Sequence, residues 1–149
     1  ACRRAGVTSA KAVGRARGIG TVDVYVSTPE GVPGQALLTE LQTVFQKSRE
    51  IAVDVQVKAP EAVEVNMTLT VKPAEGTAFE AAKAAVESEL AGFFGGRLLG
   101  QSVKLAELYS RIYALDAVEN CRITLPAADT EISATELPVL GTVSITEEA

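Results

Sequence analysis

The sequence contains no histidine and no tryptophan, and it has only two cysteines, Cys2 and Cys121. Without histidine, the usual zinc-ligand spacings and the Cys/His pairs of nucleophilic catalysis cannot be built from this chain. Two cysteines without secretory signals are usually reduced, although a disulfide between them stays an alternative. We therefore expect no metal, no cofactor and no enzymatic activity.

Long apolar runs are also missing. No run approaches the roughly 18 to 20 residues that a spanning helix needs, and the N-terminus lacks the apolar core of a signal peptide. The chain has 149 residues, 47% hydrophobic and 22% charged, while only 5% are aromatic. This composition is typical of a globular protein with an aliphatic core. We expect a protein of the cytosol, or one assembled from it, without a membrane partner.

The charge is unevenly distributed along the chain. The sequence has 14 basic and 19 acidic residues, and its net charge of −5 argues against nucleic acid as the main partner. Residues 1–20 carry only basic charges and residues 125–149 only acidic ones. The two ends are thus complementary, within one chain or between neighbouring copies. The candidate interaction residues are Arg3, Arg4, Arg15, Arg17, Glu136, Glu147 and Glu148.

Hydrophobic periodicity predicts an α+β fold in the order β-β-α-β-β-α-α-β-β. We expect a mixed sheet built from β-hairpins with three helices packed on it, as one domain over 1–149 or as two small subdomains that divide near 73–76. The predicted strands lie near 7–16, 21–26, 53–58, 63–72, 118–125 and 139–145, and the helices cover about 35–48 and start near 77 and near 102.

Three local patterns add expectations about packing. Thr77 with Glu80 predicts a capping box, and Ser102 is a plausible N-cap for the third helix. Asp23 and Asp54 interrupt apolar alternation and are predicted to lie on the outward face of a sheet. A second apolar stripe is expected to exceed the apolar surface that one small core can bury. Any part of this stripe that stayed exposed would mark a subunit interface. That stripe is formed by Phe93, Phe94, Leu98 and Leu99.

The segment Gly14–Gly20 superficially looks like a phosphate-binding loop. A strand follows it, whereas a phosphate loop leads into a helix, so the glycines predict a hairpin turn instead. Arg15 and Arg17 are two residues apart and share one face of a strand. That face is either solvated or contacts phosphate or an acidic partner surface.

Several stretches together resemble the C-terminal part of the baseplate protein J family of contractile-tailed bacteriophages and prophages. The residues that carry the resemblance are ARG-x-GTVDVYV from Ala16, LL-x-ELQ from Leu37 with Arg49, DV-x-V-x-AP from Asp54, and LP-x-LG from Leu137. In order and spacing they extend from about Val7 to Ile145, and the sequence is expected to be a piece of a longer protein.

The resemblance implies a structural component of the baseplate wedge, which acts through protein–protein assembly surfaces and has no catalytic residues. It also implies other wedge proteins, and further copies of this chain, as partners. The protein would then reside in the virion tail baseplate after assembly in the bacterial cytoplasm. A small-molecule-binding regulatory module is the alternative, because strands and helices over one sheet also describe many ligand-sensing domains. A nucleic-acid binder that uses the basic hairpin ranks third.

Overall fold

The computed structural model describes residues 6–50 and 52–148, and these residues form the predicted α+β fold with six strands and three helices. The strands are β1 (Ser9–Gly14), β2 (Thr21–Ser27), β3 (Asp54–Lys58), β4 (Glu61–Pro73), β5 (Val118–Leu125) and β6 (Glu136–Glu147). The helices are α1 (Gln35–Ser48), α2 (Phe79–Phe93) and α3 (Leu105–Tyr113). Their order confirms the predicted sequence of elements.

The strands are divided between two mixed three-stranded sheets. The first has the order β1-β2-β3, in which β1 and β2 form the predicted antiparallel hairpin and β3 runs parallel to β2 after the α1 crossover. The second has the order β5-β4-β6, with β5 antiparallel and β6 parallel to β4. The last two strands, β5 and β6, form no hairpin, because β4 lies between them and pairs with both.

Helix α1 covers one face of the first sheet. The alternation in β2 places Val24 and Val26 on this face, where they are buried with Leu41 of α1 and Val55 of β3. Leu37, Leu38 and Phe45 pack against this cluster from the same helical stripe. A single helix therefore provides most of the apolar cover for this sheet.

Helices α2 and α3 cover the second sheet. The long alternation in β4 points Val65, Met67, Leu69 and Val71 into the larger core. Phe93, Phe94, Leu98 and Leu99 are all buried, so the expectation that part of this stripe stays exposed is wrong. The segment after α2 folds back into the core and covers its own apolar side chains.

Both helix starts differ from the sequence expectation. The N-cap of α2 is Ala78, without a side-chain cap, so the predicted capping box does not form. The Thr77 N–H, which Glu80 would bond in such a box, donates to the Ala74 carbonyl in the preceding turn. The N-cap of α3 is Lys104, and the Leu105 N–H donates to Asp129 Oδ1 at 2.9 Å. The Ser102 hydroxyl instead donates to Glu131 Oε2 and accepts from the Ile132 N–H. A distant loop thus caps α3.

The two sheets meet where β2 ends beside the loop that follows α2. Ser27 Oγ donates to the Gly96 carbonyl at 2.5 Å, and Lys11 Nζ donates to the Gly100 carbonyl at 3.1 Å. The chain passes from one sheet to the other between Lys58 and Glu61. The two-subdomain division near 73–76 stays a prediction. No helix among the described residues is long and apolar enough to cross a membrane.

Candidate functional site

The tip of the β1–β2 hairpin is a compact turn with a defined backbone. Arg15, Gly18 and Gly20 have positive φ values of 58°, 119° and 79°. The Arg15 N–H donates to the Thr21 carbonyl at 2.7 Å, and Thr21 Oγ1 donates to the Gly18 carbonyl at 2.7 Å. The same hydroxyl oxygen accepts from the Arg17 N–H at 3.0 Å. These bonds confirm the predicted turn.

Asp23 is the centre of a charge cluster on the face of the first sheet opposite α1. Its carboxylate accepts from Arg17 Nε at 2.8 Å and from Lys58 Nζ at 2.5 Å. Arg17 also reaches Asp54 Oδ2 through Nη1 at 2.5 Å. Asp23 thus lies on the outward face of the sheet, as predicted, but its side chain is only 2% exposed, whereas the side chain of Asp54 is half exposed. The long side chains of Arg17 and Lys58 supply the cover.

The cluster holds its charges firmly in place. The hydrogen bond from Lys58, followed by that from Arg17, lowers the pKa of Asp23 despite the opposing effect of burial. The bonds to Asp23 and Asp54 raise the pKa of Arg17. Because both shifts favour the ionised forms of Asp23 and Arg17, the cluster ties the turn, β2 and β3 together through charge-assisted hydrogen bonds.

The basic candidates fall into different environments. Arg3 and Arg4 lie outside the described residues. Arg15 is exposed on the hairpin tip, whereas Arg17 is bound by Asp23 and Asp54. Of the basic candidates that the structure describes, Arg15 is thus the one placed to meet a partner.

The acidic candidates lie at the two ends of β6. Glu136 accepts from the Ser133 N–H at 2.7 Å, and Glu148 accepts from Asn120 Nδ2 at 3.0 Å. Glu147 is exposed. Within residues 6–50 and 52–148, no ion pair joins these three residues to Arg15 or Arg17. Contact between such groups in neighbouring copies stays a prediction.

Ile19 lies at the tip and is not among the candidate residues predicted from the sequence. Its side chain is 94% exposed and it stands between Gly18 and Gly20, directly beside the fixed backbone of the turn. The sequence pattern that could have identified Ile19 is a large aliphatic residue between two turn glycines. Neither adjacent residue has a side chain that could cover it. The tip therefore presents an apolar side chain and the Arg15 guanidinium to solvent.

A shallow groove of about 210 Å³ runs between α1 and β3. Its lining includes Leu38, Gln42 and Val57. The groove is smaller than the roughly 300 to 1,000 Å³ that small-molecule sites usually occupy. No group of three or more potential metal-ligating side chains occurs in the described part of the chain.

Comparison with known families gives a match to the second half of the chain. The family described as "Baseplate J-like protein C-terminal domain" matches residues 65–146, which include most of β4 and all of α2, α3 and β5. The search of curated proteins gives no match. The matched region covers more than half of the chain and includes every residue of the larger core. The chain therefore belongs to the baseplate J-like family, whose members have a structural role in the baseplate of phage tails.

Proposed function

We propose that this protein is a component of the baseplate wedge and acts through protein–protein assembly surfaces, with other wedge proteins and further copies of itself as partners. Assembly takes place in the bacterial cytoplasm before the protein enters the tail. The observation that carries the proposal, beside family membership, is the hairpin tip. Its fixed backbone presents Ile19 and Arg15 together.

A fixed tip suits recognition for an energetic reason. Binding costs free energy when a loop or a side chain must be ordered, and a turn that is already hydrogen-bonded avoids most of that cost. Arg17 contributes by bonding both Asp23 and Asp54, which holds the turn against the sheet. The tip can therefore bind a depression on a partner surface without rearrangement of the first sheet.

The chemistry of the tip defines what it fits. Ile19 offers an aliphatic side chain, and Arg15 adds a positive charge on the same turn. A complementary surface has an apolar depression with acidic residues at its rim. Such a surface belongs to a neighbouring wedge subunit, and acidic groups such as Glu147 in another copy have the required charge.

The proposal includes no catalytic step. The one carboxylate that is buried among the described residues, Asp23, is bound by two cations. Because these bonds lower its pKa, Asp23 is not poised to exchange a proton near neutral pH. This argues for a structural use of the cluster.

Incorporation into tails tests the proposal. In a phage or prophage that carries the full protein, Ile19→Ser with Arg15→Glu should lower the amount of this protein in purified tails at least tenfold. Arg122→Glu is the matched control, because Arg122 is exposed on β5 and undergoes the same charge reversal. Normal incorporation of the doubly substituted protein would contradict a role for the hairpin tip.

A further inference from the structure

Strand β3 forms one edge of the first sheet, and its outward backbone groups face α1 instead of another strand. The Asp54 N–H donates to the Gly20 carbonyl, on the side where β2 lies. Because successive residues of a strand point their backbone groups to opposite sides, those of Val55 and Val57 face away from β2. An edge of this kind is a template for pairing with another strand.

Gln42 of α1 occupies this edge with its side chain. Gln42 Nε2 donates to the Val55 carbonyl at 2.7 Å, and Gln42 Oε1 accepts from the Val57 N–H at 2.7 Å. One residue of a parallel neighbouring strand would bond the same two groups. The carboxamide thus takes the place of a peptide from a fourth strand.

Gln46 of α1 and Arg49, the C-cap residue that follows α1, extend the substitution along the edge. Gln46 Nε2 donates to the Val55 carbonyl at 3.3 Å, and Arg49 Nη1 donates to the Val53 carbonyl at 2.7 Å. Arg49 Nε also donates to Gln46 Oε1 at 2.5 Å, which leaves the Gln46 amino group directed at β3. The spacing of four residues places Gln42 and Gln46 on one side of the helix. Arg49 reaches the same edge from the position directly after the helix.

The edge that these residues cover is self-complementary. In an antiparallel pair of two β3 strands centred on Gln56, Asp54 of one copy would lie opposite Lys58 of the other, and Val55 opposite Val57. The outward groups of Val55 and Val57 would then exchange hydrogen bonds. The side-chain pairs would combine opposite charges and β-branched residues, both of which favour strand pairing.

We propose that Gln42, Gln46 and Arg49 act as a surrogate strand that closes the β3 edge to strand addition by a second copy of this chain. The closure prevents a pairing that would join two copies through their first sheets. Contacts between copies must then use other surfaces. The inference concerns this sheet edge alone and does not depend on the proposed function.

Substitution of both glutamines by methionine tests the closure. Gln42→Met with Gln46→Met keeps side-chain length and removes the donors and the acceptor. At concentrations low enough to keep the variant monomeric, hydrogen exchange of the Val57 amide should rise about tenfold because its hydrogen bond to Gln42 is lost. Sedimentation should show a concentration-dependent dimer. Gln35→Met is the matched control, because Gln35 lies in the same groove but forms no hydrogen bond to β3.

A cysteine at position 56 tests the register of the dimer. Gln56→Cys is introduced in a Cys2→Ser background. In the protein that also carries Gln42→Met and Gln46→Met, the cysteines at position 56 of two copies should form a disulfide. In the protein that keeps Gln42 and Gln46, they should not. If the methionine variant exchanges faster yet stays as monomeric as the Gln35→Met control, the closure is refuted. A dimer without the position-56 disulfide also refutes it.

A milder substitution keeps the closure testable if the double methionine variant does not fold. Gln42→Glu keeps an acceptor for the Val57 N–H but loses the donor to the Val55 carbonyl. It should form the disulfide at position 56 to a smaller extent than the double variant. A folded Gln42→Glu protein with no disulfide above the native background would count against the closure.

Discussion

Arg17 Nε donates to Asp23 Oδ1 at 2.8 Å and so ties the turn of the β1–β2 hairpin to its own second strand. Lys58 donates to the other carboxylate oxygen, Oδ2, from β3, which neighbours β2 on the side away from β1. Asp23 therefore joins the hairpin turn, its own strand and β3, whose Lys58 lies 35 residues away. Both side chains contact the Asp23 carboxylate on the face of the sheet opposite α1.

Asp23→Ala should destabilise the protein by about 2 to 3 kcal/mol, less than the full cost of breaking a buried ion pair, because the partners can partly regain water. Asp23→Asn, which keeps the shape and two polar atoms, should cost less than the alanine substitution. Chemical denaturation followed by circular dichroism measures both. Asp116→Ala, an exposed acid after α3, should change the free energy of unfolding by less than about 0.5 kcal/mol. Equal effects of Asp23→Ala and Asp116→Ala would contradict the structural role of the cluster.

The stability contributed by Asp23 should depend on pH in a defined direction. Its folded-state pKa lies below the ordinary value, so the folded protein binds the proton less readily than the unfolded chain does. The contribution is therefore complete above the unfolded pKa of about 3.9 and is lost as pH falls through the lower folded pKa. Denaturation curves from about pH 7 to pH 2 should show the difference between wild type and Asp23→Asn shrinking only below about pH 4. If the stability difference began to shrink near neutral pH, its pH dependence would come from the titration of a group other than Asp23.

The sequence predicts the order of elements well because strong alternation and helical stripes lie within single segments. The sequence predicts a helix over 35–48 and α1 has these bounds, because its whole apolar stripe, up to Phe45, lies within that segment. Strand order was less accessible. β4 lies between β5 and β6, and this placement depends on pairing over long sequence separation, which periodicity does not report.

The candidate site shows the same limit at the level of side chains. Asp23 was recognised as unusual within its strand, but its burial depends on Arg17 and on Lys58, which lies 35 residues away. Likewise, Asp129 caps α3 from 24 residues away, while the nearby Ser102 bonds elsewhere. Local sequence identifies polar residues of interest, and tertiary contacts decide their partners.

Gly96→Ala should strongly destabilise the junction between the two sheets. Gly96 has a φ of 77°, and an added Cβ would lie 1.9 Å from the Thr28 carbonyl oxygen. The backbone would have to separate at the point where Ser27 Oγ bonds Gly96, so we expect a loss of at least about 3 kcal/mol. Thermal and chemical denaturation provide the measurement.

Gly76→Ala is the matched control for that substitution. Gly76 has a similar φ of 81°, but an added Cβ would meet nothing within 4 Å. The control should therefore show only the cost of the left-handed backbone, about 1 kcal/mol. Equal losses for the two alanine substitutions would mean that the close approach of Gly96 to Thr28 contributes nothing.

Asp129→Ala should weaken α3 through its N-terminus. The Asp129 carboxylate accepts the Leu105 N–H at 2.9 Å and brings a negative charge to the helix end where the peptide dipoles are positive. Loss of a helix cap costs about 1 kcal/mol, and amide exchange in the first turn of α3 should accelerate together with this loss. Ser102→Ala should leave exchange at Leu105 unchanged, because Ser102 bonds Glu131 and Ile132. If Ser102→Ala accelerated exchange at Leu105 as much as Asp129→Ala did, the cap would belong to the local serine and the long-range capping of α3 would be wrong.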